Sequence, residues 1–248
     1  MTDRPKHQHG CLFCRRVDGG FRSREHIFSE ALGNHEYVLP PGVVCDRCNN
    51  GPLSRADAAL INFPPITLLR AERGLPTKSG QPIVSKWGNA HIMYSAPGEL
   101  NVLNTGKRAL RGMPTGGGPV PPDGAKMELN TGGPVTTARV RKVVQSIWKS
   151  ALEFVYWDHG AEVAFNEALD PARTAVLDAA PPGWATLTKT TTPHQNVQLQ
   201  YVPTIVDGEQ ALPIRMDVFG VEFHTDPLRR DHSKLELTPP FSANVWKF

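Results

Sequence analysis

Two C-x2-C pairs constrain this chain more than any other feature. Cys11-Leu12-Phe13-Cys14 and Cys45-Asp46-Arg47-Cys48 hold all four cysteines of the 248-residue sequence, with 30 residues between the pairs. Each pair presents two thiolates from one tight turn, and two such turns complete a tetrahedral Zn²⁺ site. Four sulfur ligands leave no open position for water, so a structural zinc is expected. It would hold together an N-terminal segment too short to bury a core alone. Four cysteines are far too few for a disulfide scaffold. Neither pair lies in the β-α-β surroundings of a redox C-x-x-C. His7 and His9, just ahead of the first pair, are alternative ligands. The interval between the pairs is longer than the ~15–20 residues common in such sites, so ordered structure is expected inside the loop.

The loop holds Ser23-Arg24-Glu25-His26-Ile27-Phe28-Ser29-Glu30-Ala31-Leu32-Gly33-Asn34, and Asn49-Asn50 follow the last cysteine. The Glu25 carboxylate and the Asn49 amide carbonyl are hard oxygen donors suited to Mg²⁺ or Mn²⁺. An imidazole such as His26 is the side chain best suited to proton transfer near neutral pH. Neighbours on a regular strand point to opposite faces. Glu25 and His26 can therefore serve one site only at a strand end or bulge.

These residues resemble the HNH endonuclease (ββα-metal) superfamily in its zinc-braced form, of the stand-alone bacterial or phage type. The resemblance rests on Cys11/Cys14, Arg24-Glu25-His26-Ile27, Leu32-Gly33 and Cys45-Asp46-Arg47-Cys48-Asn49, and covers roughly residues 8–62. It implies His26 as the general base, Glu25 as the acidic ligand of a catalytic Mg²⁺ or Mn²⁺, and Asn49 as the second ligand. Arg24 and Arg47 flank those ligands and are expected to bind substrate phosphate. The family's central Asn, which orients the catalytic His through backbone contacts, falls near Val38–Pro41, where this chain has none. Asn34 lies too early for the usual spacing.

The whole chain carries 27 Lys+Arg against 24 Asp+Glu, a net +3 that conceals a strong polarity. Residues 76–150 hold ten basic and three acidic side chains, whereas residues 151–248 hold seven basic and thirteen acidic. A basic middle third can neutralise phosphates, and an acidic last third is repelled by them. The expected partner is nucleic acid, DNA favoured, against the first 150 residues. The C-terminal region is left as a surface for a second copy or a protein partner. No run of ~18 apolar residues is present to cross a membrane. Residues 1–9 carry no apolar secretory signal either, so a cytoplasmic location is expected.

Three segments follow from the patterning: a zinc-braced module over 1–75, a basic Gly/Pro-rich connection over 76–134, and a C-terminal domain of open role over 135–248. Residues 112–134 contain seven Gly and five Pro and are expected to form a loop. Apolar residues at Val140, Val143, Val144, Ile147, Trp148, Ala151, Leu152 and Val155 repeat at helical spacing. Thr136 or Thr137 can cap this helix and Gly160 can end it. Arg139, Arg141, Lys142 and Lys149 fall off that stripe, toward solvent or phosphate. A second helix is expected over 161–169, and a third from Asp170-Pro171 to Asp178. From Trp184 the period becomes two, giving strands over 184–190, 197–206, 210–218 and 220–225, and a weak one at 235–237. Asp217, Glu222 and Asp226 then alternate onto a solvated face. The expected fold class is α+β: a small zinc-stabilised ββα-metal module, a helical segment and an antiparallel β-rich C-terminal region.

The expected activity is metal-dependent endonucleolytic hydrolysis of phosphodiester bonds. Two other readings are compatible with the residues: a non-catalytic zinc module that binds nucleic acid, and a zinc-stabilised protein-interaction module.

Overall fold

The computed structural model describes residues 9–87, 90–96, 99–104, 118–119, 137–178, 184–189, 196–206, 209–211, 213–228 and 244–247. It is a mixed helix and strand fold, with the cysteines in its N-terminal region and an antiparallel sheet in its C-terminal region. Within the N-terminal region, one antiparallel bridge pairs His26 with Val38. Ile27 N–H donates to Tyr37 O (3.0 Å) and Leu39 N–H to Glu25 O (2.9 Å) on either side of it. The short helix α1 (Asp46–Cys48) carries the second cysteine pair. After an irregular turn over Asn49–Leu53 come α2 (Ser54–Ile61) and α3 (Pro64–Glu72). Pro64 and Pro65 open α3, where the missing N–H groups cost nothing.

Strands β1 (Val84–Trp87), β2 (Ala90–Ala96) and β3 (Glu99–Asn104) form an antiparallel meander. The two-residue β4 (Gly118–Pro119) pairs with β3 inside the stretch expected to be a loop. The remainder of that stretch lies outside the described residues.

Helix α4 (Thr137–Ala164) is broken at Gly160, whose φ 78° and ψ −171° no helix allows. The position expected to end the helix does interrupt it. The expected second helix shrinks to the turn up to Ala164 and a 3-10 turn over Glu167–Leu169, capped by the Asn166 side chain on Ala168 N–H. Helix α5 (Asp170–Asp178) opens on Asp-Pro as the sequence suggests.

The C-terminal sheet has strand order β11-β5-β10-β9-β6, formed by β5 (Trp184–Lys189), β6 (Val197–Tyr201), β9 (Ile214–Val218), β10 (Val221–Thr225) and β11 (Asn244–Lys247). The long expected strands over 197–206 and 210–218 each break in two. Their inner ends, β7 (Thr204–Val206) and β8 (Glu209–Ala211), pair separately. The bend at Phe219-Gly220 is a two-residue hairpin turn, both residues at positive φ, with Gly220 N–H donating to the Asp217 carboxylate (2.7 Å). The weak strand at 235–237 lies outside the described residues.

All eight apolar positions of the α4 stripe are buried, and they join Met216, Val218, Phe223, Leu199 and the cysteine pairs in one continuous core. That core crosses residue 75 without a break. Two expectations from alternation fail. Lys149 is 0% exposed instead of facing solvent, because α2 and the Glu25–Ile27 strand cover that side of α4. Asp217, Glu222 and Asp226 are buried as well, so this part of the sheet is covered on both faces. Periodicity marks where polar residues lie; it does not report what covers them. Arg141 and Lys142 are exposed as expected, and the Arg139 side chain lies outside the described residues.

Gly160→Ala is expected to lower unfolding stability by roughly 1–3 kcal/mol, the cost of an L-residue in this glycine-only backbone region. Nothing lies within 4 Å of the added Cβ, so the loss is one of backbone strain alone. Urea unfolding measures it. A variant as stable as the wild type would contradict the break in α4.

Candidate metal centre

Local chain geometry brings the four cysteines together. Arg15 N–H donates to Cys11 O and Cys11 N–H to Arg16 O, both at 2.9 Å, folding the first pair into a tight turn. Arg15 and Gly10 take positive φ to make it. A Cβ on Gly10 would meet Arg15 O at 2.3 Å, so only glycine fits there. Asn49 N–H donates to Cys45 O (3.0 Å) and closes the second turn. Leu12 N–H donates to Val43 O (2.9 Å) and Cys45 N–H to Cys11 Sγ (3.4 Å), which lay one turn against the other.

All four sulfurs lie within 4.8 Å of one another, with Cys14 Sγ and Cys45 Sγ 3.7 Å apart. A Zn–S bond of ~2.3 Å in a tetrahedron places its sulfurs about 3.8 Å apart, so this donor set could hold zinc. The site's acid–base chemistry agrees. A hydrogen bond from Cys48 holds the Cys11 thiol down at about 5. Burial pushes Cys45 up to about 11. The hydrogen bond to Cys11 and then burial hold Cys48 well above the ordinary thiol range. One sulfur is thus a ready thiolate, and two more need a cation beside them to ionise. His9 does not join them; its ring lies tilted against Phe165, 5.1 Å between centroids. His7 lies outside the described residues.

The second cysteine turn also organises the segment ahead of Glu25. Arg22 N–H, Ser23 N–H and the Ser23 hydroxyl all donate to Asp46 Oδ1, at 3.0, 2.8 and 2.7 Å. These bonds, the Ser23 hydroxyl first, hold the Asp46 carboxyl below its ordinary range. Three residues further on, Asn49 Nδ2 donates to Arg24 O (3.1 Å). Asn49 therefore sits directly beside the strand that carries Glu25 and His26. Arg24 and Arg47 are exposed on the two segments that meet there.

Glu25 and His26, at the isolated bridge to Val38, differ in surroundings. Glu25 is buried, with Oε1 2.6 Å from Lys149 Nζ and with Oε2 lacking a hydrogen-bond partner among the described residues. His26 is half-buried, and its Nδ1 likewise has no hydrogen-bond partner. Buried polar atoms without a partner are rare and mark places where water or an ion belongs.

The sequence reading missed two groups of residues here. Asn34, set aside on spacing, is buried, and its side chain bridges the loop after His26. Nδ2 donates to Phe28 O (2.7 Å) and Tyr37 O (3.0 Å), while Oδ1 accepts from Tyr37 N–H (2.9 Å). These are backbone contacts of the kind expected near Val38–Pro41, made from an earlier position on a short loop. The second group surrounds Lys149 Nζ: Glu25, Asp57 (3.1 Å) and Glu153 (3.3 Å). Burial lowers the lysine's proton affinity, but the carboxylates of Asp57, Glu153 and Glu25 outweigh it and hold it well above the ordinary range. Burial pushes Asp57 up to about 6 and Glu153 well above the usual carboxylate range. Only the i, i+4 spacing of Lys149 and Glu153 is readable in the sequence; Glu25 and Asp57 reach the lysine from two other segments.

A cavity of about 610 Å³ opens elsewhere, among Leu32, Gly33, His35, Glu72, Arg73, Leu75, Asn196 and Phe219. Leu32 and Gly33 line it, but none of the expected metal-ligating, catalytic or phosphate-binding residues does.

Cys11→Ser and Cys45→Ser are each expected to abolish stoichiometric zinc, measured by native mass spectrometry. Zinc loading at pH 7 should release the Cys45 and Cys48 protons, so zinc affinity should fall as pH falls. Calorimetry in buffers of different ionisation heat reads both effects. Full zinc in either variant, or loading without proton release, would contradict a four-thiolate site.

No protein-family model matches the chain, and no curated protein or solved structure matches it either.

Proposed function

We propose that this protein is a zinc-braced, metal-dependent endonuclease of the HNH type, hydrolysing phosphodiester bonds in nucleic acid, with DNA the favoured substrate. The observation that carries the reading is the bond from Asn49 Nδ2 to Arg24 O (3.1 Å). Through it, the second cysteine turn sets an amide carbonyl beside the strand holding an uncommitted Glu25 oxygen and an uncommitted His26 nitrogen.

In this reading the Cys11, Cys14, Cys45 and Cys48 thiolates hold a structural Zn²⁺. The Glu25 carboxylate and the Asn49 carbonyl are the ligands for a Mg²⁺ or Mn²⁺ ion, and their hard oxygen chemistry suits it. Such an ion, when bound, stabilises charge on the phosphate and on the departing 3′-oxygen. His26 acts as the general base. Its imidazole accepts a proton from the attacking water, which then meets phosphorus in line with the P–O3′ bond. The Asn34 bridge fixes the loop after His26 and so limits the imidazole's freedom. Exposed Arg24 and Arg47 pair with backbone phosphates on either side of the scissile bond.

Purified protein incubated with supercoiled plasmid and Mg²⁺ or Mn²⁺ is expected to nick or linearise it. Zinc-loaded His26→Ala should lose at least ~10²-fold in rate, the usual contribution of a positioned base. A His26→Ala protein that cleaves at the wild-type rate would overturn the assignment. Salt-sensitive plasmid binding without cleavage by the wild type would favour a non-catalytic nucleic-acid module instead.

A further inference from the structure

Residues Glu25, His26 and Ile27 are gripped from behind by two consecutive residues of α4, more than 120 positions away in sequence. Lys149 Nζ contacts Glu25 Oε1 (2.6 Å) and donates to His26 O (2.9 Å). Ser150 Oγ donates to Ile27 O (2.6 Å). On its other edge the same segment pairs with Tyr37 and Leu39. The strand is thus clamped on both sides, and only one clamp belongs to the cysteine-bearing region.

The nature of this second clamp is informative. Lys149 and Glu153 are both 0% exposed, and the lysine also holds Asp57 by both oxygens, at 3.2 and 3.1 Å. Packing alone is served as well or better by apolar side chains than by a buried charge with three carboxylates around it. A buried cation does what an apolar residue cannot: it fixes a carboxylate by one oxygen and a carbonyl by its lone pair. Glu25 keeps Oε2 free of hydrogen bonds while Oε1 is tethered.

We infer that Lys149 is a positioning residue for the Glu25–His26 strand. Assisted by Ser150, it fixes the Glu25 carboxylate for its metal ion and the His26 backbone for proton transfer. This role rests on the nuclease reading above. Asp57 and Glu153 keep the lysine charged and in place. The catalytic centre is then shared between the cysteine-bearing region and α4, and the former is incomplete without the latter.

Two full-length variants test it. Lys149→Met combined with Asp57→Asn removes one charge of each sign, and Ser150→Ala removes one hydrogen bond and leaves the charges untouched. Three quantities are read on zinc-loaded protein: amide exchange at Ile27 and Leu39, Mn²⁺ affinity by electron paramagnetic resonance, and kcat against KM on plasmid. The double variant is expected to exchange faster at both amides. Its Mn²⁺ affinity and kcat should each fall ~10–100-fold, the usual cost of losing a group that orients a metal ligand, with KM little changed. Ser150→Ala should move the same quantities in the same direction by less, and it decides the matter should the double variant fail to take up zinc. Wild-type Mn²⁺ affinity and kcat in zinc-loaded variants, with wild-type cleavage intact, would overturn the positioning role alone. Unchanged amide exchange would overturn the clamp whatever the wild type cleaves. A wild type that neither binds Mn²⁺ nor cleaves would sink the nuclease reading, and the positioning role with it.

Discussion

A lysine ammonium with no exposure to water is among the costliest groups a protein can bury, with an effective penalty of several kcal/mol even after relaxation. In this chain Lys149 is such a group, and much of the architecture follows from satisfying it. Glu25 reaches it from the strand inside the cysteine loop, Asp57 from α2 and Glu153 from the next turn of its own helix. Neither the Glu25 nor the Asp57 contact can form unless α4 lies across the cysteine-bearing region. The polar stripe of Ser146, Lys149, Ser150 and Glu153 therefore fixes how α4 sits on α2 and on the 25–27 strand, while the apolar stripe on the same helix packs toward β5 and β10. A helix buried on both sides joins the two halves in one continuous core.

A second buried cation repeats the device at the first cysteine pair. Arg173 of α5 donates to Leu12 O (2.9 Å), to Asp170 and to the carbonyls of Asn166 and Ala164. Arg15 answers from the cysteine turn, reaching Phe165 O (2.7 Å) and Asp170 (3.0 Å). The four-sulfur cluster thus has α4 and α5 anchored to it through charge-assisted hydrogen bonds, which are directional where apolar contacts are not. The cluster in turn sets the 22–24 segment and Asn49 in register through Asp46 and Arg24 O. Cysteine turns, the Glu25–Ile27 segment and helix form one mechanical chain that ends at His26.

The parts of this arrangement legible in the sequence are those written in short-range spacing. Cysteines separated by two residues in each pair, the apolar repeat from Val140 to Val155 and the alternation in β6, β9 and β10 each need only local chain geometry to be interpreted. Residues whose role depends on what another segment places over them were not legible. Lys149 and Asp217 both occupy positions that periodicity assigns to solvent, and both are fully buried. Asn34 lies too early for a spacing rule, yet the loop after Phe28 is short enough for its amide to bridge both ends. β11 went unanticipated because four residues near a chain end carry little pattern, and pairing with β5 defines that strand.

The proposed nuclease function depends above all on a hard-metal site where the Asn49 turn meets the Glu25–His26 segment. Anomalous diffraction from a crystal of the zinc-loaded protein grown with Mn²⁺ tests it most directly. The account predicts zinc density at Cys11, Cys14, Cys45 and Cys48, and a separate manganese peak shared by Glu25 and Asn49 beside His26. Manganese bound elsewhere, or none at all with Glu25 still locked on Lys149 and Asn49 still on Arg24 O, would contradict it.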